Sequence, residues 1–124
     1  MQAHEFIKVY NEGRNGANFF YKHNLVKYFR YSDGVQECAK TGCYWLLDIA
    51  ATELPKKMRQ TETQFLTLEI KVSSKKAQLS AVRDGDVLPV WWRKIDHTDL
   101  PEGEWKFLIS DEEDTFAMIL PSEY

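Results

Sequence analysis

The chain is poor in the residues and motifs that most directly reveal a function. It has two cysteines, six glycines and four prolines among 124 residues. Cys38 and Cys43 lack the spacing of a zinc knuckle or a redox pair, so we expect two buried free thiols. Neither a GxxxxGK loop nor an HExxH pair occurs, which argues against the common nucleotide-hydrolysing and zinc-dependent enzymes. We therefore predict no catalytic residues, no metal ligands and no cofactor.

Long apolar runs and a basic excess are also lacking. No apolar run approaches the roughly 20 residues of a membrane-spanning helix. The start of the chain has no apolar signal-peptide core, so we expect a soluble cytoplasmic protein with no membrane partner. The net charge of −3 is unlike that of a general nucleic-acid-binding protein.

The charges are unevenly distributed along the chain. Residues 1–60 carry nine Lys or Arg against six Asp or Glu, whereas residues 61–124 carry seven against thirteen. Such an asymmetry can mark an electrostatic partner surface. The alternative is that the charges mix in space when the chain folds, in which case the asymmetry has no consequence.

The chain does contain ample material for a hydrophobic core. Hydrophobic residues make up 44% of the sequence and aromatic residues 14%. A chain of this length can bury enough surface to fold without metal or disulfide support. We predict a single domain over residues 1–124, with a helical part over about 1–60 and a sheet part over about 64–124.

The first thirty residues contain one helical segment and one ambiguous segment. Residues 2–11 can form a short helix that ends at Glu12 and Gly13, where a loop begins. The aromatic segment over residues 19–31 has no clean period. It is compatible with a short strand or with an ordered loop packed on the core.

Two further helices are predicted between residues 32 and 54. Ser32 is a good N-cap, and Asp33 in the first turn suits the positive end of the helix dipole. Gly42 ends this helix as a C-cap glycine would. The next helix runs from about Cys43 to Leu54, because Pro55 disfavours its continuation. Residues 56–63 follow as a basic turn or as a frayed extension of the helix.

From residue 64 onward the apolar residues alternate with a period of two. Leu66, Leu68, Ile70 and Val72 show the pattern of a half-buried strand. Four further segments of strand character follow, at residues 76–84, 87–96, 105–110 and 115–120. Helices followed by strands predict an α+β domain, with the helices on one face of an antiparallel meander sheet of about five strands.

Asp48 and His97 are the candidate acid–base residues, and both have simpler interpretations. Asp48 lies within the most apolar helical stretch, where a buried carboxylate would need a cation such as Lys27 or Arg30. The alternative for Asp48 is a solvent-facing or capping carboxylate. His97 lies between Asp96 and Asp99, which could orient an imidazole, but Asp and Thr beside a turn are ordinary turn residues.

The run Trp91-Trp92-Arg93-Lys94 is the strongest candidate for a contact surface. On a strand the two tryptophans point to opposite faces, so at most one can enter the core beneath the helices. An exposed tryptophan beside cations is typical of protein interfaces and of stacking on single-stranded nucleic acid. The alternative is cross-strand packing with Trp105 or Phe107.

The run Asp111-Glu112-Glu113-Asp114 is a second candidate for partner contact. Four acidic residues in a turn can imitate phosphate and occupy a basic groove on another protein. They can equally form a solvated hairpin tip that discourages aggregation.

Two sequence blocks resemble a known family. The block YSDGVQECAKTGCYWLLDIA and the end LPSEY are similar to a domain-of-unknown-function family of small bacterial, phage and plasmid proteins. That family has a central Y[ST]DGV…YWLLDxIA pattern and ends in LPSEY. The matching positions that we take as its structural motif are Ser32, Asp33, Gly34, Trp45, Asp48, Glu123 and Tyr124. The resemblance supplies no catalytic residues and implies a mobile-element setting inside a host cell.

The end of the chain is also informative by itself. Pro121 after a strand, followed by a carboxylate and a large aromatic, predicts an ordered tail. We expect Tyr124 to pack against the helices, and either Glu123 or the terminal carboxylate to lie near a basic group such as Arg30 or Arg59.

These observations lead to one leading functional expectation and two alternatives. The leading one is a non-enzymatic binding protein that acts by protein–protein contact, as an anti-CRISPR-like inhibitor of a host defence complex. The first alternative is a nucleic-acid-associated accessory protein that uses Trp92, Arg93, Lys94 and the cluster Lys56, Lys57 and Arg59. The second is a small enzyme of unknown reaction with Asp48 or His97 in a cleft. A homodimer through an edge strand or the exposed tryptophan face is compatible with each.

Overall fold

Three α-helices occupy the first half of the described chain. The computed structural model describes residues 3–11 and 19–124. The helices are α1 (Ala3–Asn11), α2 (Asp33–Lys40) and α3 (Tyr44–Gln60), and a 3-10 turn, η1 (Pro121–Glu123), follows the last strand. The predicted loop beginning at Glu12 and Gly13 lies outside the described residues.

The strands form one seven-stranded mixed sheet. They are β1 (Phe20–Lys22), β2 (Phe29–Ser32), β3 (Phe65–Ser73), β4 (Lys76–Arg83), β5 (Trp91–Ile95), β6 (Gly103–Asp111) and β7 (Phe116–Ile119). Their order across the sheet is β1-β2-β7-β6-β3-β4-β5. The pair β2 and β7 is parallel, and all the other neighbours are antiparallel. The α+β class is therefore confirmed.

The predicted five-stranded antiparallel meander is wrong in strand number and in strand order. All five predicted strands occur, but β6 pairs with β3 rather than with β5, so the nine-residue β3 has a long neighbour on each side. The ambiguous aromatic segment supplies β1 and β2, and β2 covers the free edge of the four-residue β7. Alternation reveals that a strand exists, whereas its neighbours depend on which edges remain to be paired.

The third helix continues through Pro55, beyond the predicted end at Leu54, so the helical extension is the alternative that occurs for residues 56–60. A proline inside a helix costs about 3 kcal/mol. Leu54 and Met58 are both fully buried on the core side of α3. Burial of such side chains contributes about 1.5–3 kcal/mol each, so core packing offsets the cost of the proline. The helix then extends to Gln60.

The N-terminus of α2 is capped as the sequence predicts. The Ser32 hydroxyl accepts a hydrogen bond from the Val35 amide at 3.1 Å. At the other end Thr41 is the C-cap residue, and Gly42 follows it with a φ of 122°, a conformation that side chains other than glycine disfavour.

All three α-helices pack on the same face of the sheet, which we call the covered face. Its central side chains are fully or almost fully buried: Leu66, Leu68 and Ile70 on β3, Leu79 and Ala81 on β4, and Phe107 and Ile109 on β6. Phe6 of α1 reaches this face and packs edge-on against Trp105, with ring centroids 5.1 Å apart. The opposite face, which we call the open face, carries none of the described α-helices.

Candidate functional site

The open face presents several large aromatic side chains to solvent, among them Phe20 of β1, Tyr124 of the tail and Trp92 of β5. Trp92 on β5 is 58% exposed and lies opposite Ser80 on β4. The proposed cross-strand packing of this run with Trp105 or Phe107 does not occur for Trp92, because β4 and β3 separate β5 from β6. Trp92 is therefore available for contact with another molecule.

Two members of the predicted contact run, Trp91 and Arg93, face the helices. The Trp91 indole donates a hydrogen bond to Glu53 Oε1 at 3.3 Å, and Arg93 Nη1 lies 2.5 Å from Glu53 Oε2. Glu53 belongs to α3, so these bonds join the edge strand to the helical layer. The pattern of strand residues thus divides the run: Trp91 and Arg93 contact α3, whereas Trp92 and Lys94 lie on the open face.

A basic cleft adjoins Trp92 on the open face. The cleft has a volume of about 500 Å³ and lies where β3, β4 and β5 meet. Three lysines line it, and we call them the lysine cleft: Lys71, Lys76 and Lys94. Gln78, which pairs with both Lys71 and Lys94 across the sheet, lies between them. Sequence reasoning identified Lys94 but missed the other two lysines, although Lys71 occupies a polar position of the alternating strand.

The open face is basic although the protein is acidic. Its strand positions carry six cationic side chains, namely Lys22, Arg30, Lys71, Lys76, Lys94 and Lys106. The same positions carry two carboxylates, Glu69 and Glu104. Four of these cations come from the acidic half of the sequence, so the two halves of the chain do not correspond to two charged surfaces. Many acidic residues lie instead in turns and loops, outside the strands.

The acidic tip lies far from Trp92. Asp111 to Asp114 form the turn between β6 and β7, where the Glu113 amide donates to Asp111 Oδ1 at 3.0 Å and Ser110 Oγ donates to Glu112 at 3.0 Å. Trp92 lies three strands away and in the row of Lys106, five residues from Asp111. Strand spacing and rise put the two sites more than about 20 Å apart. A partner that contacts both must therefore be large.

The predicted basic cluster of α3 lies in the helical layer. Lys56 and Arg59 line a cleft of about 500 Å³ together with Tyr28 and Thr52. The Arg59 guanidinium lies over the Phe116 ring, with its central carbon 5.1 Å from the centroid. This cleft and the lysine cleft are on different sides of the sheet, so the two basic groups of the nucleic-acid hypothesis do not form one continuous surface.

Asp48 contacts a histidine that sequence reasoning did not connect with it. Its carboxylate is 64% exposed and lies 2.8 Å from Nε2 of the buried His23. The other ring nitrogen, Nδ1, accepts hydrogen bonds from the amides of Leu25 and Val26 at 3.2 and 3.1 Å. An accepting Nδ1 places the proton of a neutral ring on Nε2, which donates to Asp48. The imidazole therefore organises a turn between β1 and β2, and neither Lys27 nor Arg30 is the observed partner.

The other acid–base candidate is exposed. His97 Nε2 lies 3.6 Å from Asp99, and the two side chains are 70% and 61% exposed. This geometry is that of a solvated turn. It leaves the enzyme hypothesis without a structured pair at this position.

The two sequence blocks of the family resemblance meet in space. Glu123 is buried, and its carboxylate accepts hydrogen bonds from the Ser32 hydroxyl at 2.5 Å, the Leu120 amide at 2.8 Å and the Gly34 amide at 3.2 Å. A Cβ atom at Gly34 would lie 2.6 Å from Glu123 Oε2, so the contact requires glycine. We call this contact the tail clip. It fastens the end of the chain to the N-terminus of α2, where the helix dipole favours a carboxylate.

The tail is ordered, but its residues do not lie where the sequence predicts. Tyr124 is 83% exposed and packs edge-on against Phe65 of the open face, at 5.7 Å between centroids, instead of packing on the helices. Glu123 contacts the start of α2 rather than Arg30 or Arg59. The motif residues of the tail clip therefore have an evident role in packing.

Both cysteines are buried free thiols, as expected. Burial raises the pKa of the Cys43 thiol to about 12, and its sulfur donates to the Cys38 carbonyl at 3.3 Å. Burial also raises the pKa of Tyr31, to which the nearby Tyr44, Tyr21 and Asp48 add. A thiol held in its neutral form is a poor nucleophile, so Cys43 has the chemistry of a core residue.

Two further features are absent from the described residues: a membrane-spanning helix and a group of metal ligands. No helix within residues 3–11 and 19–124 has the length and apolar character needed to cross a membrane. In the same residues, His, Cys, Asp and Glu side chains do not gather in threes at any place that could hold a metal ion.

These features define an α+β protein with a mixed sheet that is covered on one face and basic on the other. A model of a family of unknown function, DUF6876, matches residues 12–124, and the chain belongs to this family. The expected membership of a domain-of-unknown-function family is thereby confirmed. The motif and the phage or plasmid origin stay predictions. No curated protein and no solved structure matches the chain.

Proposed function

We propose that this protein is a non-enzymatic binding protein whose contact surface is the open face of the sheet. The observation that carries the proposal is Trp92, a large aromatic side chain that is 58% exposed on a face without a covering α-helix. Tryptophan is enriched among the residues that dominate binding energy in interfaces. Lys94 shares this face, so the proposal retains two of the four residues of the predicted run.

The residues that face the helices have a different role in this proposal. Trp91 and Arg93 bond to Glu53, which adds side-chain contacts with α3 to the backbone pairing of β5 with β4. A strand joined to a helix by side-chain bonds presents its outward residues from a rigid support. Such preorganisation lowers the entropy that binding must overcome.

The finer form of the proposal concerns the biological setting. The resemblance implies a mobile genetic element, and small proteins of such elements often act by occupying a surface on a host complex. We infer inhibition of a host defence complex as the use of the open face. The acidic tip is the second contact in that setting, on a partner large enough to span both sites.

Capture from host lysate, with a point variant and a matched control, tests the proposal. Trp92→Ala removes the exposed aromatic, and Leu25→Ala removes another exposed apolar side chain, 81% exposed, from the turn between β1 and β2. We expect the wild type and Leu25→Ala to capture a macromolecular partner in similar amounts. Trp92→Ala should capture less of it, by a factor of about ten or more. The isolated partner should then bind the purified protein with the same ranking.

The opposite ranking contradicts the proposal. If Trp92→Ala captures and binds the partner as well as the wild type does, the open face is not the contact surface. Thermal unfolding of each variant shows whether the fold is retained, and we expect both substitutions to change it little because both side chains are exposed.

A further inference from the structure

We propose that the open face binds single-stranded nucleic acid at the lysine cleft, with a base stacked on Trp92 and the phosphates on the lysines. This inference rests on the proposed function in its broad form, a binding protein whose contact surface is the open face. It names a nucleic acid, in place of a host protein, as the partner of that face. It adds Lys71 and Lys76 to the contact residues and leaves out the basic cluster of α3.

The register of the sheet brings the stacking and the charged groups together. Trp92 and Lys94 are two residues apart on the same face of β5, a rise of about 7 Å. Lys71 lies in the same row as Lys94, two strands away across Gln78, or about 10 Å. Lys76 begins β4 beside them. An aromatic ring beside a row of cations is how sequence-tolerant proteins hold a single strand.

The cations of the cleft are free to bind an anion. Among the described residues, Lys76 and Lys94 make no ion pair with a carboxylate. Lys71 lies 3.8 Å from Glu104, and the side chains of that pair are 66% and 68% exposed. An exposed pair of this kind is weak, so a phosphate can replace the carboxylate. Asp96 also lines the cleft and is a second opposing charge that must be displaced or screened.

The surroundings of Trp92 favour a nucleic acid over a protein. Lysine is depleted in protein interfaces, and a protein hot spot is typically enclosed in an apolar pocket. On β4, Ser80 directly opposite Trp92 and Gln78 on one diagonal are polar, whereas Val82 on the other diagonal is apolar. Base stacking needs an exposed ring and tolerates a polar rim.

The shape of the site favours a single strand over a duplex. Trp92 protrudes from a sheet face and can stack only on a base that is not already stacked within a helix. An open sheet with an aromatic side chain is a known kind of platform for unpaired bases. A duplex could touch the lysines but not the ring.

Binding of a labelled oligonucleotide tests the inference directly. The probe is a fluorescent oligo-dT or oligo-U of about 20 nucleotides, measured by anisotropy, with a duplex of equal length for comparison. Three phosphate contacts predict a salt slope of about −2, so affinity should fall about 20-fold between roughly 50 and 200 mM salt. Trp92→Ala should weaken single-strand binding about tenfold or more, and Trp92→Phe should weaken it less because a ring remains.

Two charge-matched variants locate the site. Lys71→Gln/Lys94→Gln removes two cations of the lysine cleft, and Lys56→Gln/Lys57→Gln removes two cations of α3 on the other side of the sheet. Both change the net charge equally. We expect the first to reduce the salt slope by about 1.4 and to weaken binding, and the second to have a small effect.

The outcomes separate this inference from the proposed function. No single-strand binding at low salt, or loss in the α3 variant but not in the cleft variant, overturns the inference. If that result accompanies a nuclease-resistant partner that Trp92→Ala loses, the open face binds protein and the proposed function stands. If oligonucleotides do not bind and Trp92→Ala captures what the wild type captures, both proposals fail.

Discussion

The two faces of the sheet are built from the same strands but differ in what their side chains do. The side chains of the covered face are locked by packing against three helices, and its central residues are fully or almost fully buried. The open face alternates with it residue by residue, yet carries six cations, two carboxylates and an exposed tryptophan. Because adjacent residues of a strand point to opposite faces, the same strand contributes side chains to the core and to the contact surface.

The largest expected effect comes from the covered face of β6. Phe107 is 1% exposed, and Phe107→Ala should lower the free energy of unfolding by about 3–5 kcal/mol through lost burial and a cavity. Its neighbour Lys106 points to the open face, so Lys106→Ala should change stability by less than about 0.5 kcal/mol. Denaturant unfolding of the two variants measures the difference. Similar losses of unfolding free energy in the two variants would show that side chains of the open face also stabilise the fold.

The tail clip should give the next largest effect. Glu123→Ala leaves the Ser32 hydroxyl and two amides without their acceptor, and should cost about 2–3 kcal/mol. Gly34→Ala forces a Cβ against the same carboxylate and should cost about 1–3 kcal/mol. Urea unfolding of both single variants and of the double variant measures the coupling. The double variant should lose less than the sum, because removing the carboxylate removes the clash.

The exposed end of the tail supplies the control for the clip. Tyr124 is 83% exposed, so Tyr124→Ala should change stability by less than about 0.5 kcal/mol. Additive losses in the Gly34 and Glu123 pair would contradict the clip, because additivity is expected of residues that do not touch.

Alkaline pH should lower the free energy of unfolding through the buried thiol of Cys43. Its pKa is raised from 9.0 to about 12 by burial, so the folded state holds the thiol proton where the unfolded state has lost it. This contribution is fully present below pH 9 and is lost as the pH rises toward 12, at a limit of about 1.4 kcal/mol per pH unit. Stability measured by denaturant between about pH 8 and 11 should therefore fall more steeply for the wild type than for Cys43→Ser. Parallel curves would show that Cys43 does not ionise on unfolding in this range.

The smallest expected effect lies at the join between β5 and α3. Glu53→Ala removes the bonds to Trp91 and Arg93, but the carboxylate and guanidinium side chains are 36% and 49% exposed. Solvent screening limits the loss to about 1 kcal/mol or less. Thermal unfolding checks this value, with Lys94→Ala on the other face of β5 as a near-neutral control. A loss several times larger would mean that β5 depends on Glu53 for its place in the sheet.

Local patterns predicted the elements better than their partners. Alternation identified the five strands after residue 64, and the Ser32 cap identified the start of α2. Proline chemistry misplaced the end of α3, because the burial of Met58 was not visible from the sequence beyond Pro55. The aromatic segment that became β1 and β2 had no period of its own. It pairs because β7 has a free edge, which is a property of the assembled sheet.

The candidate site was predicted in part. Strand alternation required that Trp91 and Trp92 face opposite sides, but not which of them faces the helices. The residues of the lysine cleft come from three strands that are separated in sequence, so no local pattern could predict the cleft. The bond between His23 and Asp48 likewise joins residues 25 apart that carry no shared motif.

The sequence by itself determined the α+β class, the buried thiols and the alternation that gives the sheet two different faces. Those properties depend on the period of apolar residues and on local capping, which act over a few residues. The tertiary structure alone decided that β6 lies beside β3, that the tail clip closes on Gly34, and that lysines from the acidic half of the chain form a basic face. Each of these outcomes depends on contacts between distant segments, and such contacts form only when one strand's free edge or one helix's bare N-terminus meets its partner.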